Sequence, residues 1–535
     1  MKKAYYVLLT IALLTSALLL ALPALQRMAH LLNFPYSHDG LEGTLLYEAR
    51  LLRSGQALYQ PLERYRFVSA PYPPVSYLAF ALFDLIHGPH VFWAARLVSL
   101  LACLGSSLLC VMILRLSTAS WPVAIFAAAL LLSVPPLQLW ATRIKPDVLA
   151  LFFTSSGLFL GMQSLLSSTA PLPSFRASRF PVMLGLAALA FSLAFYTKQT
   201  AVAGPLALGI ALLAADWRDW RLGADRKLYV WKFPFQRRTL TFALSYLALT
   251  LGAWLILDLI TGGQYTLHVW WSGGRSQWWS FALFRKIVGL LGFWWPQMIL
   301  AFLILPLSIR RRALFVPACY ALVAPLTLLG AGETGAHHNH LLETHLALTL
   351  AGCSVLGVAF GLLQPHSQLS AQQAFDASAK ATAPRGRATG TRYAIFVAGI
   401  VLLLTGIQVM QAQQAPDWYA GELAASETPE RYLAFMRATP GEILADDTGL
   451  LFQAGRELRY DDPSTMGPAA KIGKWDQSGL LEEISKKKFN AIMIPVNLEH
   501  SDLDPSGRWT PEMLAAIKAH YQLKFRDTIY VYVPK

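Results

Sequence analysis

Three acidic side chains stand where they could act on a substrate. Asp39 and Glu42 follow the first long apolar segment, and their spacing of three residues places both on one face of a helix. Asp147 follows two basic residues and a proline, between two further apolar segments. A carboxylate in such a place can act as a general base that removes the proton of an attacking hydroxyl group. Alternatively, Asp39 and Glu42 only cap the helix that they begin.

Basic side chains lie close to these acids along the chain. Arg143 and Lys145 precede Asp147, Lys198 lies between two short apolar segments, and Arg275 follows a Gly-Gly pair flanked by tryptophans. Cations at the membrane surface can bind a phosphate group and neutralise the charge that it gains as a leaving group. Basic side chains that only anchor the segment ends would give the same pattern.

Histidines crowd around Glu343 late in the apolar part of the chain. His340 and Glu343 lie one helical turn apart, and they could share a divalent metal with Asp39 or Asp147. Histidines at a membrane surface that only form hydrogen bonds are the alternative. The sequence therefore allows a metal cofactor without requiring one.

The elements that must position these side chains are membrane helices. Of the 535 residues, 55% are hydrophobic and 14% charged, which is too apolar for a soluble protein of this length. Segments approaching the roughly 20 residues that cross a bilayer predict about eleven transmembrane helices. They cover residues 5–22, 91–114, 121–139, 148–166, 180–196, 200–215, 240–260, 287–307, 313–329, 341–363 and 393–410. The first is predicted to be a retained helix, because its apolar run is long for a signal peptide.

The distribution of charge predicts the orientation in a cell membrane. The loops 218–238, 310–312 and 380–392 are basic, and an odd number of spans puts all three in the cytoplasm if the N-terminus is cytoplasmic. The C-terminal end then lies on the outer face. The net charge of +14 reflects this orientation, so no nucleic-acid partner is expected. All four cysteines fall within predicted spans and are expected to be packing residues.

Two domains are predicted. Residues 1–412 form the transmembrane module, with a first outer loop at 25–90 and a cytoplasmic loop at 364–392. Helical spacing of apolar residues in 39–54, and a short apolar run at 75–86, predict two helices lying along the membrane surface within the first loop. Residues 413–535 read as a soluble α/β domain on the outer face, with strands at 442–445 and 490–495, helices at 479–487 and 511–520, and closing strands or a hairpin at 523–533.

Several short motifs, taken in their order, resemble the GT-C superfamily of membrane glycosyltransferases that use polyprenyl-phosphate sugars. The group with the strongest resemblance comprises protein O-mannosyltransferases, aminoarabinose transferases and rhizobial galacturonosyltransferases. The motifs are the acid after the first span, Ser54-Gly55 with Tyr59, Pro73-Pro74, Ala94-Ala95-Arg96-Leu97, Asp147, Tyr196-Thr197-Lys198-Gln199 and Asn339-His340-Leu341-Leu342-Glu343. Members of this group commonly have adjacent Asp and Glu in the first loop, whereas here two residues separate Asp39 from Glu42.

The resemblance implies a GT-C-like fold and an inverting transfer of a hexosyl or pentosyl unit from a polyprenyl-phosphate donor. The acceptor would be a lipid, glycan or protein of the cell envelope. Asp39 would be the general base, with Glu42 as a further catalytic candidate, and Asp147 would orient the acceptor or bind a metal. The donor phosphate would be held by cations from the set Arg143, Lys145, Lys198 and Arg275.

Two other functions compete with this interpretation. A polytopic transporter would carry ionisable residues near the middle of the membrane on broken helices in repeated halves. The sequence shows no such repeat, although Lys198 lies between two short spans. A non-enzymatic envelope assembly protein, acting through the C-terminal domain, is the second alternative.

Overall fold

The computed structural model describes residues 2–167, 179–222, 237–272, 279–333, 336–361, 427–501, 503–526 and 529–535, with isolated positions between 399 and 410. Within these residues, seven helical segments are long and apolar enough to cross a membrane, and four apolar helices are shorter. The chain is thus a polytopic helical membrane protein with a C-terminal sheet domain. The predicted count of eleven spans is not confirmed, and the loop 364–392 and most of the segment 393–410 lie outside the described residues.

Fifteen α-helices precede the C-terminal domain among the described residues. They are α1 (Lys2–Leu32), α2 (Leu41–Arg53), α3 (Pro74–Phe83), α4 (Trp93–Thr118), α5 (Trp121–Leu132), α6 (Pro135–Trp140), α7 (Asp147–Ser167), α8 (Arg179–Thr197), α9 (Ala203–Leu222), α10 (Arg237–Ile260), α11 (Gln264–Thr266), α12 (Phe281–Gly289), α13 (Trp295–Arg310), α14 (Phe315–Val323) and α15 (Leu342–Gly361). A π-helical turn covers Leu267–Ser272, and 3₁₀ turns cover Leu290–Trp294, Arg312–Leu314, Ala324–Gly332 and His338–Leu341.

The predicted continuous span 121–139 is wrong, because the chain breaks after α5. Ser133 and Val134 leave the helix, and Pro135 and Pro136 begin the short α6. A proline disfavours the α conformation in the residue before it and cannot donate the next helical hydrogen bond. The loop after α6, which carries Arg143 and Lys145, lies beside the first loop, where both side chains pair with Asp39.

The first loop, residues 33–92 between α1 and α4, contains the two predicted helices. α2 begins after Gly40 and ends at Arg53, and Gly55 follows with a φ of 79°, in the left-handed region that favours glycine. α3 starts at Pro74, which favours the first helical turn. Four apolar side chains on or just after α3 are exposed at helical spacing, namely Leu78, Leu82, Leu85 and Ile86. An exposed apolar stripe is what a helix on a membrane surface requires.

The C-terminal domain, residues 427–535, is built on a four-stranded sheet. Its elements are α16 (Glu427–Ala438), β1 (Glu442–Ala445), α17 (Thr448–Gln453), α18 (Pro463–Lys471), α19 (Ser478–Ser485), β2 (Phe489–Ile494), α20 (Pro511–His520), β3 (Tyr521–Arg526) and β4 (Tyr530–Pro534). The strand order is β1-β2-β4-β3, with β1 parallel to β2 and the other pairs antiparallel. The predicted strands, helices and closing hairpin are confirmed to within a few residues. The predicted boundary near 413 lies outside the described residues.

The C-terminal domain packs directly against the first loop. Phe67 is fully buried in the core of the domain, with its ring 5.0 Å from that of Trp475, and its backbone bridges to Tyr460. α2 and α17 pack so closely that a side chain on Gly43 would collide with the backbone of Thr448 and Gly449. The first loop therefore belongs to the core of both parts of the molecule.

Candidate active site between the first loop and the C-terminal domain

A polar cavity of about 520 Å³ lies where the membrane helices, the first loop and the C-terminal domain meet. The membrane module and first loop contribute His38, Asp39, Gly40, Leu41, Tyr72, Trp140, Arg143, Lys145, Asp147, His337 and Asn339. The C-terminal domain contributes Asp446, Asp447, Thr448, Asp462, Pro463, Ser464, Arg508 and Ile529. We call this space the polar cavity. Four of the predicted site residues, Asp39, Arg143, Lys145 and Asp147, line it together.

Asp39 faces the polar cavity and pairs with cations. Its carboxylate lies 3.1 Å from Nζ of Lys145 and 3.6 Å from Nη1 of Arg143, and its side chain is 32% exposed. Gly40 is the N-cap of α2, and no side chain caps that position. Asp39 is therefore not the helix cap that its sequence position allows, and it stays accessible to a substrate.

The loop between α6 and α7 holds the two cations rigidly. Ser99 of α4 donates its hydroxyl to the carbonyl oxygen of Arg143 at 2.7 Å, and the guanidinium of Arg143 lies 4.9 Å from the centre of the Trp140 ring. Burial disfavours the charge of Lys145, but the Asp39 carboxylate outweighs it, so the pKa of Lys145 is raised. Both side chains remain charged where an anionic group would enter.

Glu42 is fully buried and pairs with Arg96, which is buried as well. Arg96 donates to Glu42 at 2.6 and 3.0 Å, and the backbone amides of His38 and Ile144 donate to the same carboxylate. Burial would raise the pKa of Glu42, but the guanidinium of Arg96 holds it at about 2. Through Ile144, this carboxylate fixes the loop that carries Arg143 and Lys145. The geometry suits a positioning residue, because the carboxylate does not reach the polar cavity.

Asp147 stands at the start of α7, on the boundary between the polar cavity and a second space. Its carboxylate forms an ion pair with Lys198 and accepts a hydrogen bond from Nδ2 of Asn339 at 2.8 Å. The second space, of about 320 Å³, extends between the membrane helices. Its lining is Asp147, Ala150, Leu151, Lys198, Thr200, Ala201, Val202, Ala203, Leu206, Val323, Leu326, Thr327, Gly330, Glu333, Asn339, His340, Leu342 and Glu343. We call it the membrane cavity.

His340 and Glu343 line the membrane cavity with Lys198, separated from Asp39. Glu343 accepts a hydrogen bond from the hydroxyl of Tyr320 at 3.0 Å. Within the described ranges, no group of three His, Cys, Asp or Glu side chains is arranged to hold a metal. The carboxylates of Asp39 and Asp147 face ammonium groups. A divalent metal at His340 and Glu343 stays a prediction.

The individual residues of the C-terminal wall of the polar cavity were not predicted from the sequence. Burial raises the pKa of Asp447 to about 6, helped by the charges of Asp446 and Asp39. Arg508 donates to Asp446 at 2.8 Å and keeps 43% of its side chain exposed. The only signal in the sequence was the Asp462-Pro463 helix start, which is common in soluble domains. Arg275, predicted to bind phosphate, lies outside the described residues.

The architecture is a bundle of membrane helices whose first loop and C-terminal domain enclose a charged cavity. ArnT from Cupriavidus metallidurans, solved bound to undecaprenyl phosphate, has a similar fold, with a TM-score of 0.57 and 16% identity over 96% of this chain and 97% of ArnT. The oligosaccharyltransferase AglB from Archaeoglobus fulgidus, in complex with an inhibitory peptide and a dolichol-phosphate, is also similar. Its TM-score is 0.51 and its sequence identity 12%, over 100% of this chain and 74% of AglB. The resemblance to GT-C membrane glycosyltransferases is confirmed for the fold. No family model matches the sequence, and no curated protein matches it significantly.

Proposed function

We propose that this chain is a membrane glycosyltransferase that transfers a sugar from a polyprenyl-phosphate donor to an acceptor on the outer face of the cell membrane. One observation carries the proposal: a polar cavity and a membrane cavity meet at Asp147 and Asn339. A lipid-linked sugar has the same division, because its prenyl chain needs an apolar site and its sugar phosphate a polar one. The solved structures of ArnT and AglB with prenyl phosphates support this choice of donor.

The cations at this junction suit the donor phosphate. Lys198 lies in the membrane cavity beside Asp147, and Arg143 and Lys145 lie in the adjoining polar cavity. A phosphate placed between them would meet cations from two sides, and each would stabilise the charge that develops on the leaving oxygen. In the resting protein the same cations neutralise Asp39 and Asp147. The donor would therefore exchange one set of ion pairs for another.

Asp39 is the proposed general base. Its carboxylate takes the proton of the acceptor hydroxyl while the acceptor oxygen bonds to the anomeric carbon. The bond between that carbon and the phosphate oxygen breaks, and its electron pair remains on the phosphate. Attack opposite the leaving group inverts the anomeric configuration. The acceptor would enter through the polar cavity, against the C-terminal wall.

A binding experiment tests the donor site. Purified protein in detergent is titrated with undecaprenyl phosphate and, separately, with undecaprenol, which lacks the phosphate. We expect Lys198→Gln to weaken binding of the phosphate at least about tenfold, as for a lost charge-assisted hydrogen bond, and to leave undecaprenol binding unchanged. Arg310→Gln is the matched control, since Arg310 is exposed at the end of α13 and lines neither cavity.

Transfer is separated from transport by following the donor chemically. The reconstituted protein is incubated with a membrane lipid extract from its own source, and donor and free polyprenyl phosphate are quantified by mass spectrometry. A transferase converts the sugar-linked lipid to polyprenyl phosphate, whereas a transporter leaves it intact. Equal affinity for undecaprenol and undecaprenyl phosphate, or an unconsumed donor, would overturn the proposal.

A further inference from the structure

Two carboxyl groups are buried side by side where the C-terminal domain docks on the first loop. Glu48 of α2 and Asp461 of the domain are both fully buried, and both bind Ser69. Oε1 of Glu48 accepts hydrogen bonds from the hydroxyl of Ser69 at 2.9 Å and the amide of Ala70 at 2.5 Å. Oδ1 of Asp461 accepts from the amide of Ser69 at 2.9 Å. One serine thus joins an acid of the loop to an acid of the domain.

The other oxygen of each acid lacks a donor. Oε2 of Glu48 and Oδ2 of Asp461 are buried, and within the described part of the chain neither receives a hydrogen bond. Both carboxyl groups bond to Ser69, so they are neighbours, and the charge of Glu48 raises the pKa of Asp461. Two neighbouring buried carboxylates cannot both stay ionised at low cost, so the pair favours holding a proton.

Among the described residues, no cation forms a hydrogen bond or ion pair with Glu48 or Asp461. The ionisable groups that face the pair are Tyr47, Tyr59, Tyr77 and Asp462. The nearest cations act on these neighbours instead: Arg66 donates to Tyr47, and the charge of Lys145 acts on Asp462. His268 contacts the carbonyl oxygen of Ser69. Burial raises the pKa of Glu48 to about 7. Burial raises the pKa of Asp461 as well, and the charges of Glu48 and Asp462 raise it further.

We propose that Glu48 and Asp461 share a proton and form a pH-sensitive latch that positions the C-terminal domain over the polar cavity. Asp461 directly precedes Asp462 of the cavity wall, and the backbone of Phe67 pairs with Arg459 and Asp461 on either side. Loosening the latch moves this wall away from the membrane module. The docking stands on its own observations, whereas a role in transfer rests on the proposed function.

The direction of the pH effect follows from proton linkage. A carboxyl group whose pKa is raised on docking binds more protons in the docked state than when exposed to water. The docked state is therefore favoured most below about pH 4.5, the ordinary value for Glu48, and it weakens as the pH rises through about 7. Each proton that is held only in the docked state changes the docking equilibrium by up to about tenfold per pH unit.

Hydrogen exchange measures docking without a substrate. The amides of Phe67 and Asp461 donate across the interface, at 2.8 and 3.1 Å, and peptides covering residues 66–70 and 459–462 report their protection. After correction for the intrinsic pH dependence of exchange, we expect protection to fall by roughly one to two orders of magnitude between pH 5 and pH 8. Protection of α20, in the same domain, should change little.

Two variants assign the effect to the pair. Glu48→Gln and Asp461→Asn each supply a permanent amide donor in place of the shared proton, so both should remove the pH dependence and keep the interface protected at pH 8. Glu499→Gln, at an exposed acid of the same domain, should behave as the wild type. Flat protection in the wild-type chain, or an unchanged fall in both variants, would overturn the latch, and the wild-type result decides even if a variant does not fold.

The link to transfer is read from pH profiles. If the latch positions the cavity wall, Glu48→Gln should retain transfer at pH 8 that the wild type loses, while both have equal rates at pH 6. If hydrogen exchange shows the expected pH dependence but Glu48→Gln does not retain transfer at pH 8, the latch controls docking and has no role in positioning the cavity wall. A protein with no transfer at any pH would instead contradict the proposed function.

Discussion

Asp39 and Glu42 lie three residues apart, and each faces arginine, yet their surroundings differ in every respect that matters for reactivity. Glu42 and Arg96 are fully buried, and backbone amides and carbonyls complete their hydrogen bonds. Asp39 is one-third exposed, and its cations border an open cavity. An acid paired with a cation is thus a structural ion pair at Glu42, whereas at Asp39 the acid can release its cations and contact a substrate. Asp39 and Glu42 therefore differ in their exposure to substrate rather than in their charge.

The largest expected effect follows from removing the accessible carboxylate. Asp39→Asn keeps the volume but removes the proton acceptor, so we expect the rate of transfer to fall about 10²- to 10⁴-fold, the range for a lost general base. Stability should fall less than for a fully buried ion pair, because Asp39 itself is 32% exposed although Arg143 and Lys145 are buried. The measurement is turnover in reconstituted protein together with thermal unfolding in detergent.

Asp476→Asn is the control for this variant, since Asp476 is an exposed aspartate of the C-terminal domain. It should keep both the rate and the stability of the wild type. A normal rate in Asp39→Asn would mean that another residue is the general base, and that the exposure of Asp39 has no catalytic role.

The buried ion pair should respond in the opposite way. Arg96→Gln leaves Glu42 buried without its cation and removes the bonds to the carbonyl oxygens of Phe34 and Tyr36. Loss of one partner of a buried ion pair typically costs about 3–5 kcal/mol, so we expect a large drop in unfolding temperature. Molecules that remain folded should keep much of their turnover, measured per folded molecule. A stable variant without activity would mean that Arg96 acts on the substrate.

The cations of the polar cavity should affect the reaction by an intermediate amount. Lys145→Gln removes a charge that stabilises the departing phosphate more than the bound donor, so kcat as well as donor binding should fall, by about 2–4 kcal/mol in total. Lys474→Gln, at an exposed lysine that lines neither cavity, is the control. A near-normal rate in Lys145→Gln would leave Arg143 and Lys198 as the phosphate ligands.

Much of the fold could be predicted from local patterns, because helices in a membrane are encoded by long apolar runs. The loop helices α2 and α3 and the strands β1 and β2 follow from periodicity and from the residues that end them. The break between α5 and α6 was missed, although the pair Pro135-Pro136 signals it. The continuous apolar composition of residues 121–139 predicted one helix in spite of these prolines.

The site was only partly predictable, because its contacts join distant parts of the chain. Asp39 and Lys145 could be named individually, but their pairing depends on how α4, α6 and α7 pack. The sequence does not mark Glu48 and Asp461 as neighbours, since nothing local shows that the C-terminal domain buries them. Long-range burial is the information that a single sequence does not display.

The smallest expected effect concerns the C-terminal wall of the polar cavity. It tests whether this wall binds the acceptor that approaches Asp39. Arg508 is held by Asp446, and the turn at Asp504 accepts its backbone amide at 2.8 Å, so its partly exposed guanidinium keeps a fixed place in the polar cavity. Arg508→Gln should raise the KM for the acceptor about fivefold, as for one lost hydrogen bond of about 1 kcal/mol, with kcat unchanged.

A change in KM alone is expected because Arg508 belongs to the C-terminal wall, whereas the residues proposed to act on the leaving phosphate belong to the membrane module. Arg508 would then bind the acceptor equally in the ground and transition states. Arg526→Gln, at an exposed arginine of β3 that lines neither cavity, should have no effect. A fall in kcat at constant KM would instead bring Arg508 to the reacting atoms. Unchanged kinetics would show that the acceptor approaches Asp39 without touching this arginine.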